Sequence, residues 1–147
     1  MHSSCCLSTA ERRPGWEDRL AAVIEAARSA PYELGRHDCF RLACSVIDAL
    51  TGIDLWAPFA GSYASRREAL RRIAEFEAAG FTAAASKLFG STPMPMPFAR
   101  RGDVCEFRDE DGEQHLGIVL GVKVALLGPE GLAFAGRDEC RHCWRIG

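Results

Sequence analysis

The chain has 147 residues, of which 48% are hydrophobic and 26% are charged, and its formal net charge is -2. This length predicts one domain, and the composition is that of an ordinary globular protein. The slight negative charge argues against an electrostatic nucleic-acid binder, which would be strongly basic. No apolar run approaches the roughly 20 residues of a membrane span, and the N-terminus lacks the residue order of a signal peptide. We therefore expect a protein made in a cytoplasm, without a membrane span or a nucleic-acid partner.

The cysteine count also favours a protein made in a cytoplasm. There are seven cysteines, an odd number, and no export signal accompanies them. Both facts argue against a disulfide framework. We expect most of these residues to be reduced thiols, several of them filling places where any small apolar residue would serve.

The first half of the chain is predicted to be helical. Residues 1–13 are expected to form a flexible tail, and residues 14–147 a single domain. Apolar residues at helical spacing predict one helix over residues 16–27 and a second that begins at Cys39 and stops at Gly52. The loop over residues 51–64 carries Trp56, Phe59 and Tyr63, which either pack it onto the core or line a groove.

Two shorter helices should follow that loop. Ser65-Arg-Arg-Glu68 is a capping-box pattern that predicts a helix to about residue 79, ended by Gly80. The alanine-rich segment over residues 82–89 predicts the next. Four arginines on the first of these helices are interpreted as a solvated surface or a contact surface: Arg66, Arg67, Arg71 and Arg72.

The second half is predicted to be strand-rich. Prolines in residues 91–101 exclude a regular helix or a central strand and indicate a linker. Strands are predicted at about residues 104–107, 116–120, 124–127 and 132–135, with a last short one at 143–146, each separated by a glycine-containing turn. Helices followed by an antiparallel meander define an α+β class, with the sheet packed on the Cys39 helix.

Cys39 is the candidate nucleophile. Asp38 is a natural N-cap, because its carboxylate can accept the free amides of the first helical turn. Cys39 then occupies the first helical position, where the helix dipole favours a thiolate. The alternative is that Cys39 is a buried helix thiol without a chemical role, as we expect for Cys44.

His115 is the candidate base. A cysteine nucleophile needs a base within hydrogen-bond reach. Of the four histidines, His115 opens the strand His115-Leu-Gly-Ile-Val-Leu-Gly121, which could meet the start of the Cys39 helix if the sheet packs there. The alternative is an ordinary polar residue at the start of a strand.

These segments together resemble the NlpC/P60 branch of the papain-like cysteine peptidases. Three segments carry the resemblance, in order: Pro31-Tyr32 with Gly35 and Asp38-Cys39, then Arg101-Gly-Asp-Val104, then His115-Leu-Gly-Ile-Val-Leu-Gly121. The greatest similarity is to small proteins of this type encoded in bacteriophage tail gene clusters. The resemblance implies a papain-like core with N-terminal helices packed on a C-terminal antiparallel meander, with Cys39 as nucleophile and His115 as base.

The resemblance also implies a function. The family hydrolyses amide bonds in peptidoglycan stem peptides, so the implied protein is a thiol hydrolase without a cofactor. Its expected substrate is peptidoglycan and its expected partners are other phage tail proteins. We expect it to be made in the bacterial cytoplasm and carried in the virion tail. The alternative is a structural tail-tip or tail-assembly protein that keeps the fold with weak or no catalysis.

The sequence departs from the family pattern at two places. The family's third polar residue lies on the strand after the histidine strand, where this chain has the apolar segment 125–128. The small polar residue that usually follows the cysteine is Phe40 here. A Cys39–His115 pair without an orienting group would be a weaker catalyst; loss of that group costs about 10⁴-fold in one serine protease.

A metal site is a minor alternative near the C-terminus. Cys140 and Cys143 have CxxC spacing with His142 between them, which can supply half of a zinc or iron–sulfur shell. The other half would have to come from Cys5 and Cys6, or from Cys105. The acidic turn Asp109-Glu-Asp111 is interpreted as a solvated turn, because its spacing is too short for a calcium loop.

Overall fold

The structure, a computed structural model, describes residues 7–147. From residue 14 onward it contains four α-helices and six β-strands, so the predicted α+β class is confirmed. The elements, in chain order, are α1 (Trp16–Ser29), α2 (Cys39–Thr51), α3 (Arg66–Phe76), α4 (Phe81–Phe89), β1 (Met94–Pro95), β2 (Val104–Arg108), β3 (Gln114–Val119), β4 (Lys123–Gly128), β5 (Gly131–Gly136) and β6 (Cys140–Trp144).

The segment predicted to be a flexible tail is packed where the structure describes it. Residues 1–6 of that segment lie outside the described range. Leu7 is buried in the main core, and the Arg12 Nη2 atom lies 3.0 Å from Oδ1 of buried Asp103. Arg12 also donates hydrogen bonds to the carbonyl oxygens of Ile146 and Arg101. The packed domain therefore extends N-terminally beyond the predicted boundary.

The helix α2 is the central helix of the domain. It begins at Cys39 as the N-cap pattern predicts, and it ends at Gly52, whose φ of 79° is left-handed and suits glycine. Its predicted apolar face is buried, together with Cys44: Leu42, Ala43, Val46, Ile47 and Leu50. This face packs on α1 and on β3. The packing fixes the start of α2 against the sheet.

The helix α3 differs from the other three helices in having no buried residue. The Ser65 side chain accepts the Glu68 amide, and the Glu68 carboxylate accepts the amide of Ala64, which closes the predicted cap. The helix ends at Phe76, earlier than predicted, and none of its residues is buried. Arg66 pairs with Glu113, and Arg72 with Glu75, so part of the arginine surface is engaged in ion pairs.

The six strands form one antiparallel sheet in the order β1-β6-β2-β3-β4-β5. Strands β2 to β5 form the predicted meander. The last strand begins at Cys140, earlier than predicted, and crosses back to pair with β2 rather than with β5. The proline-containing segment adds the two-residue strand β1 at the sheet edge, where proline is tolerated.

The sheet has an apolar cluster on each face. The main core lies between the sheet and the helices and includes fully buried Trp144, whose indole nitrogen donates to the Ser86 hydroxyl at 3.0 Å. A smaller cluster on the other face contains Cys105, Cys140 and Cys143. Within residues 7–147, the helices are all too short or too polar to cross a bilayer.

The loop between α2 and α3 packs by its aromatic side chains. Phe40 of α2 lies with its ring centroid 5.7 Å from that of Trp56 and 5.3 Å from that of Phe59. Tyr63 is 9% exposed. These contacts hold the loop beside the first turn of α2, and so place it next to the candidate nucleophile.

Candidate active site

Asp38 organises the start of α2. One carboxylate oxygen, Oδ1, accepts the Arg41 amide at 2.8 Å, which caps the helix. The other, Oδ2, accepts the Gly35 amide at 2.8 Å and the Tyr63 hydroxyl at 2.6 Å. Asp38 is 2% exposed, so all these bonds are shielded from water. The carboxylate therefore ties the preceding turn, the helix and the aromatic loop together behind Cys39.

Gly35 makes that arrangement sterically possible. Its φ of 88° lies in the left-handed region, which L side chains rarely adopt. A β-carbon on this residue would lie 2.1 Å from the Tyr63 carbonyl oxygen. The close approach of the two backbone segments brings the Tyr63 side chain to Asp38, and it explains the glycine in the Pro31–Cys39 segment.

Cys39 is partly exposed at the end of a cleft, and its resting form is a thiol. Burial, with a smaller contribution from the charge of Asp38, raises the pKa of Cys39 to about 11. The backbone amides of Leu116, Cys39 and Phe40 favour the thiolate and lower the pKa of Cys39, but they do not outweigh burial. Burial therefore opposes the thiolate that the helix position was expected to favour.

The packing brings β3 to Cys39, as the sequence predicted. The Leu116 amide that hydrogen-bonds the sulfur belongs to the residue directly after His115. Strand β4 pairs with β3 only at Ile118 and Val119. The first half of β3 is therefore free of β4 on that side, and the N-terminus of α2 lies against it. Cys39 and His115 both line the same cleft.

His115 is held by an aspartate that the sequence argument missed. The Nε2 atom of His115 lies 2.8 Å from Oδ2 of Asp109, and its ring centroid lies 6.4 Å from that of Phe107, its cross-strand partner. This hydrogen bond lowers the pKa of Asp109. Because an ionised carboxylate only accepts hydrogen bonds, Nε2 carries the proton and Nδ1 is the nitrogen left to act as a base.

The position of Asp109 follows from the hairpin between β2 and β3. Its Oδ1 atom accepts the amides of Asp111 and Glu113, both at 2.9 Å, so the carboxylate organises the turn. The interpretation of this segment as only a solvated turn is therefore incomplete. An aspartate at the end of one hairpin strand, with a histidine at the start of the next, was the available signal. The family resemblance places a third polar residue on the strand after His115, whereas Asp109 precedes His115 in the chain.

The cleft that these residues share is large and mostly apolar. Its volume is about 890 Å³, and we call it the Cys39 cleft. It runs from Cys39 and His115 between the aromatic loop, α3, α4 and the turn between β4 and β5. Tyr32, Phe40, Phe59 and Tyr63 line it near Cys39. Of the loop aromatics, Phe59 and Tyr63 therefore both pack the loop and line the cleft, whereas Trp56 packs on Phe40 and does not line it.

One group of side chains near His115 could in principle bind a cation. The donor atoms of Asp109, Glu113 and His115 all lie within 4.8 Å of one another. Each already has a protein partner, because Asp109 bonds His115 and Glu113 pairs with Arg66. A cation would have to displace both interactions. We therefore interpret the group as the hydrogen-bonded support of His115.

The three C-terminal residues considered as metal ligands each contact a different residue. His142 Nε2 lies 2.8 Å from Oε1 of buried Glu106, whereas the Cys105 thiol donates a hydrogen bond to the Cys140 sulfur at 3.8 Å. Cys143 contacts the Pro95 carbonyl oxygen instead. Among residues 7–147, these three side chains do not form a ligand group, and Cys5 and Cys6 lie outside the described range.

His142 belongs to a buried polar network next to the site. Glu106 is 1% exposed and accepts hydrogen bonds from Thr82, Gln114 and His142. Burial raises the pKa of Glu106, but these three hydrogen bonds outweigh burial and lower it overall. Because Gln114 directly precedes His115, the network helps to fix the beginning of β3.

The fold and the site together define an α+β domain with a cysteine at the first residue of its central helix and a histidine–aspartate pair on the adjoining hairpin. A family model described as a domain of unknown function, DUF6950, matches residues 11–146, and the chain belongs to that family. A comparison with curated proteins found no match for this sequence.

Proposed function

We propose that the protein is a papain-like cysteine hydrolase of the NlpC/P60 type, with Cys39 as nucleophile, His115 as base and Asp109 as the residue that orients His115. The observation that carries the proposal is the Cys39 cleft. It contains a cysteine at a helix start whose sulfur faces three backbone amides, together with a histidine whose Nε2 is fixed by a carboxylate. This combination is the general pattern of an activated nucleophile, a base and an orienting group.

The proposed reaction uses the resting thiol. With the pKa of Cys39 at about 11, few molecules hold a thiolate at neutral pH, so proton transfer to Nδ1 of His115 accompanies attack on the substrate carbonyl. The carbonyl carbon becomes bonded to sulfur, and the leaving amine takes the proton from His115. Water then hydrolyses the thioester with His115 as base. The Cys39 amide and a neighbouring donor stabilise the negative oxygen of each tetrahedral intermediate.

The substrate and the setting come from the resemblance. The order of the Asp38-Cys39, Gly102-Asp103 and His115-Leu-Gly segments supports the NlpC/P60 type. That family cleaves stem peptides of peptidoglycan, and the similar small proteins are encoded in phage tail gene clusters. We therefore propose peptidoglycan as the substrate and the virion tail as the location, with other tail proteins as neighbours.

The test is digestion of purified peptidoglycan, followed by the release of new amino groups and by mass spectrometry of the products. We expect release by the wild-type protein and none by Cys39→Ser or His115→Ala. The matched control is His37→Ala, which removes a histidine two residues from Cys39 that does not line the cleft. Asp109→Asn should lower kcat by up to about 10⁴-fold, the loss seen for the orienting residue of a serine protease. Equal activity of wild type and Cys39→Ser would refute the proposal.

A second candidate function is favoured by one observation, the raised pKa of Cys39. In this alternative the protein is a structural component of the tail tip or of tail assembly that keeps the fold without efficient catalysis. Virions carrying Cys39→Ser separate the two. If the protein is structural, the particles should contain the variant, assemble and infect normally. If it is a hydrolase, the particles should assemble but infect cells with an intact wall poorly.

A further inference from the structure

The apolar face of α3 is only partly covered by the rest of the described chain: Phe76 packs on Phe59, with ring centroids 5.7 Å apart, whereas Leu70 is exposed. None of its residues is buried, and Leu70 is 53% exposed. The apolar side chains of this helix line the Cys39 cleft: Ala69, Leu70, Ile73, Ala74 and Phe76. An amphipathic helix ordinarily buries its apolar face against the rest of the fold. Here that face borders open space that leads to the candidate nucleophile.

The opposite wall of the cleft is also apolar. Helix α4 contributes Phe81, Ala84, Leu88 and Phe89, and the sheet contributes Leu116 and Leu127. Polar side chains from the hairpin surround His115, whereas Asp38 at the start of α2 and two arginines of α3 line other parts of the cleft. The cleft is therefore divided into a polar end, where the chemistry is proposed, and a long apolar part between α3 and α4.

The apolar part suits an alkyl chain better than a peptide. A peptide placed there would bring amide groups that need hydrogen-bond partners once they leave water. The charged side chains that α3 contributes to the cleft are Arg66, which pairs with Glu113, and Arg72, which pairs with Glu75 through Nη1 while its buried Nε has no hydrogen-bond partner within residues 7–147. An alkyl chain has no polar groups that need hydrogen-bond partners. The volume of about 890 Å³ lies within the range of about 300–1,000 Å³ typical of small-molecule sites.

We propose that the apolar part of the Cys39 cleft holds the alkyl chain of an acyl substrate, so that the group transferred to Cys39 is a long fatty acyl group. This inference rests on the cysteine hydrolase reaction proposed above, and it names a different substrate class from the stem peptides that the resemblance implies. The sulfur attacks the acyl carbonyl while the thiol proton passes to His115. The alcohol or amine leaves with that proton, and water releases the fatty acid from the thioester.

The kinetic test uses para-nitrophenyl esters of increasing chain length, from butanoate to decanoate. Each methylene that enters the apolar part should raise kcat/KM by about fourfold until the cleft is full. Ile73→Gln should flatten this chain-length dependence, because it places an amide on the apolar wall. The matched control is Arg67→Gln on the same helix, which is exposed and does not line the cleft; it should leave the dependence unchanged.

A binding test keeps the two proposals distinguishable. A dansyl-labelled undecanoic acid is titrated into the Cys39→Ala variant, which cannot react, and melting curves verify that each variant is folded. One-to-one binding that Ile73→Gln weakens about tenfold or more, and Arg67→Gln does not, supports the alkyl occupant even if no hydrolysis is found. Hydrolysis of esters or peptidoglycan without chain-length preference and without probe binding would overturn the inference and leave the hydrolase standing. A dimer in solution that excludes the probe would also overturn it.

Discussion

The protonation state of Cys39 is the property of this site that experiment can decide most directly. The structure raises the pKa of Cys39 to about 11, because burial disfavours the thiolate more than three backbone amides favour it. The ordinary value on the same scale is 9.0. This rise of about 2 in the pKa leaves about 100-fold less thiolate at pH 7 than an unperturbed thiol has. A more basic thiolate is more nucleophilic, so the net loss in reaction rate is about 10-fold.

The assay is the pH-rate profile for alkylation of Cys39 by iodoacetamide, with the other cysteines followed separately by peptide mass. We expect slow labelling at pH 7 and a rate that is still rising above pH 10. His115→Ala should leave this profile unchanged, since no imidazolium–thiolate pair is present at rest. Fast labelling at pH 6 that collapses in His115→Ala would refute the reasoning, because it would show a preformed ion pair that outweighs burial.

Three further predictions concern stability, each measured by denaturant unfolding. Asp38→Ala should lower the free energy of unfolding by about 3 kcal/mol, because it removes a helix cap and two buried hydrogen bonds; Asp48→Ala, on the exposed side of the same helix, should change it by less than about 0.5 kcal/mol. Gly117→Ala should cost about 1–3 kcal/mol, because its β-carbon would lie 2.6 Å from Val124, whereas Gly128→Ala meets open space and should be nearly neutral. Arg12→Ala should cost about 1.5–3 kcal/mol, because it removes one charged partner of the buried Asp103 carboxylate, which keeps Arg145 and the amides of Arg100 and Ile146; Arg12→Lys should recover part of this, and equal stability of all three proteins would contradict the packing of the predicted tail.

Much of the helical half could be predicted because its signals are local. The cap at Asp38 and the stop at Gly52 need only the chemistry of a few neighbouring residues, and both have the predicted roles. The apolar face of α2 follows from helical spacing alone. The packing of residues 7–13 was missed because it depends on Asp103, which lies far away along the chain and is buried with Arg12 as its partner.

The sheet shows the same division between local and distant contacts. The turns that contain Gly112 and Gly131 correctly predicted the two hairpins that they close. The last strand was predicted at 143–146 and begins earlier, at Cys140, and its pairing with β2 was not predicted, because it is a crossover that no turn signal reports. The crossover also separates the C-terminal residues that were considered as metal ligands, because it places His142 against Glu106 and Cys140 against Cys105.

The site residues were partly predictable for a related reason. Cys39 and His115 could be named because each occupies a recognisable element start, a capped helix and a strand. Asp109 could not be assigned a role, because an acidic residue in a glycine-containing turn is usually solvated. Its role becomes visible only when the hairpin closes and its two oxygens are seen to serve different groups, the turn amides and His115.

Asp109 also bears on how a protonated cysteine could react. A carboxylate that is hydrogen-bonded to Nε2 keeps the proton on that nitrogen, so the lone pair of Nδ1 is free to accept a proton. A neutral thiol needs a base in this form. An apolar substrate chain in the Cys39 cleft would exclude more water and would raise the cost of a free thiolate still further. In the proposed reaction the proton therefore moves as the carbon–sulfur bond forms, and His115 without Asp109 would spend part of its time with the wrong nitrogen protonated. Asp109→Asn should consequently lower kcat more than it changes KM, and an Asp109→Asn variant with wild-type kcat would exclude this role.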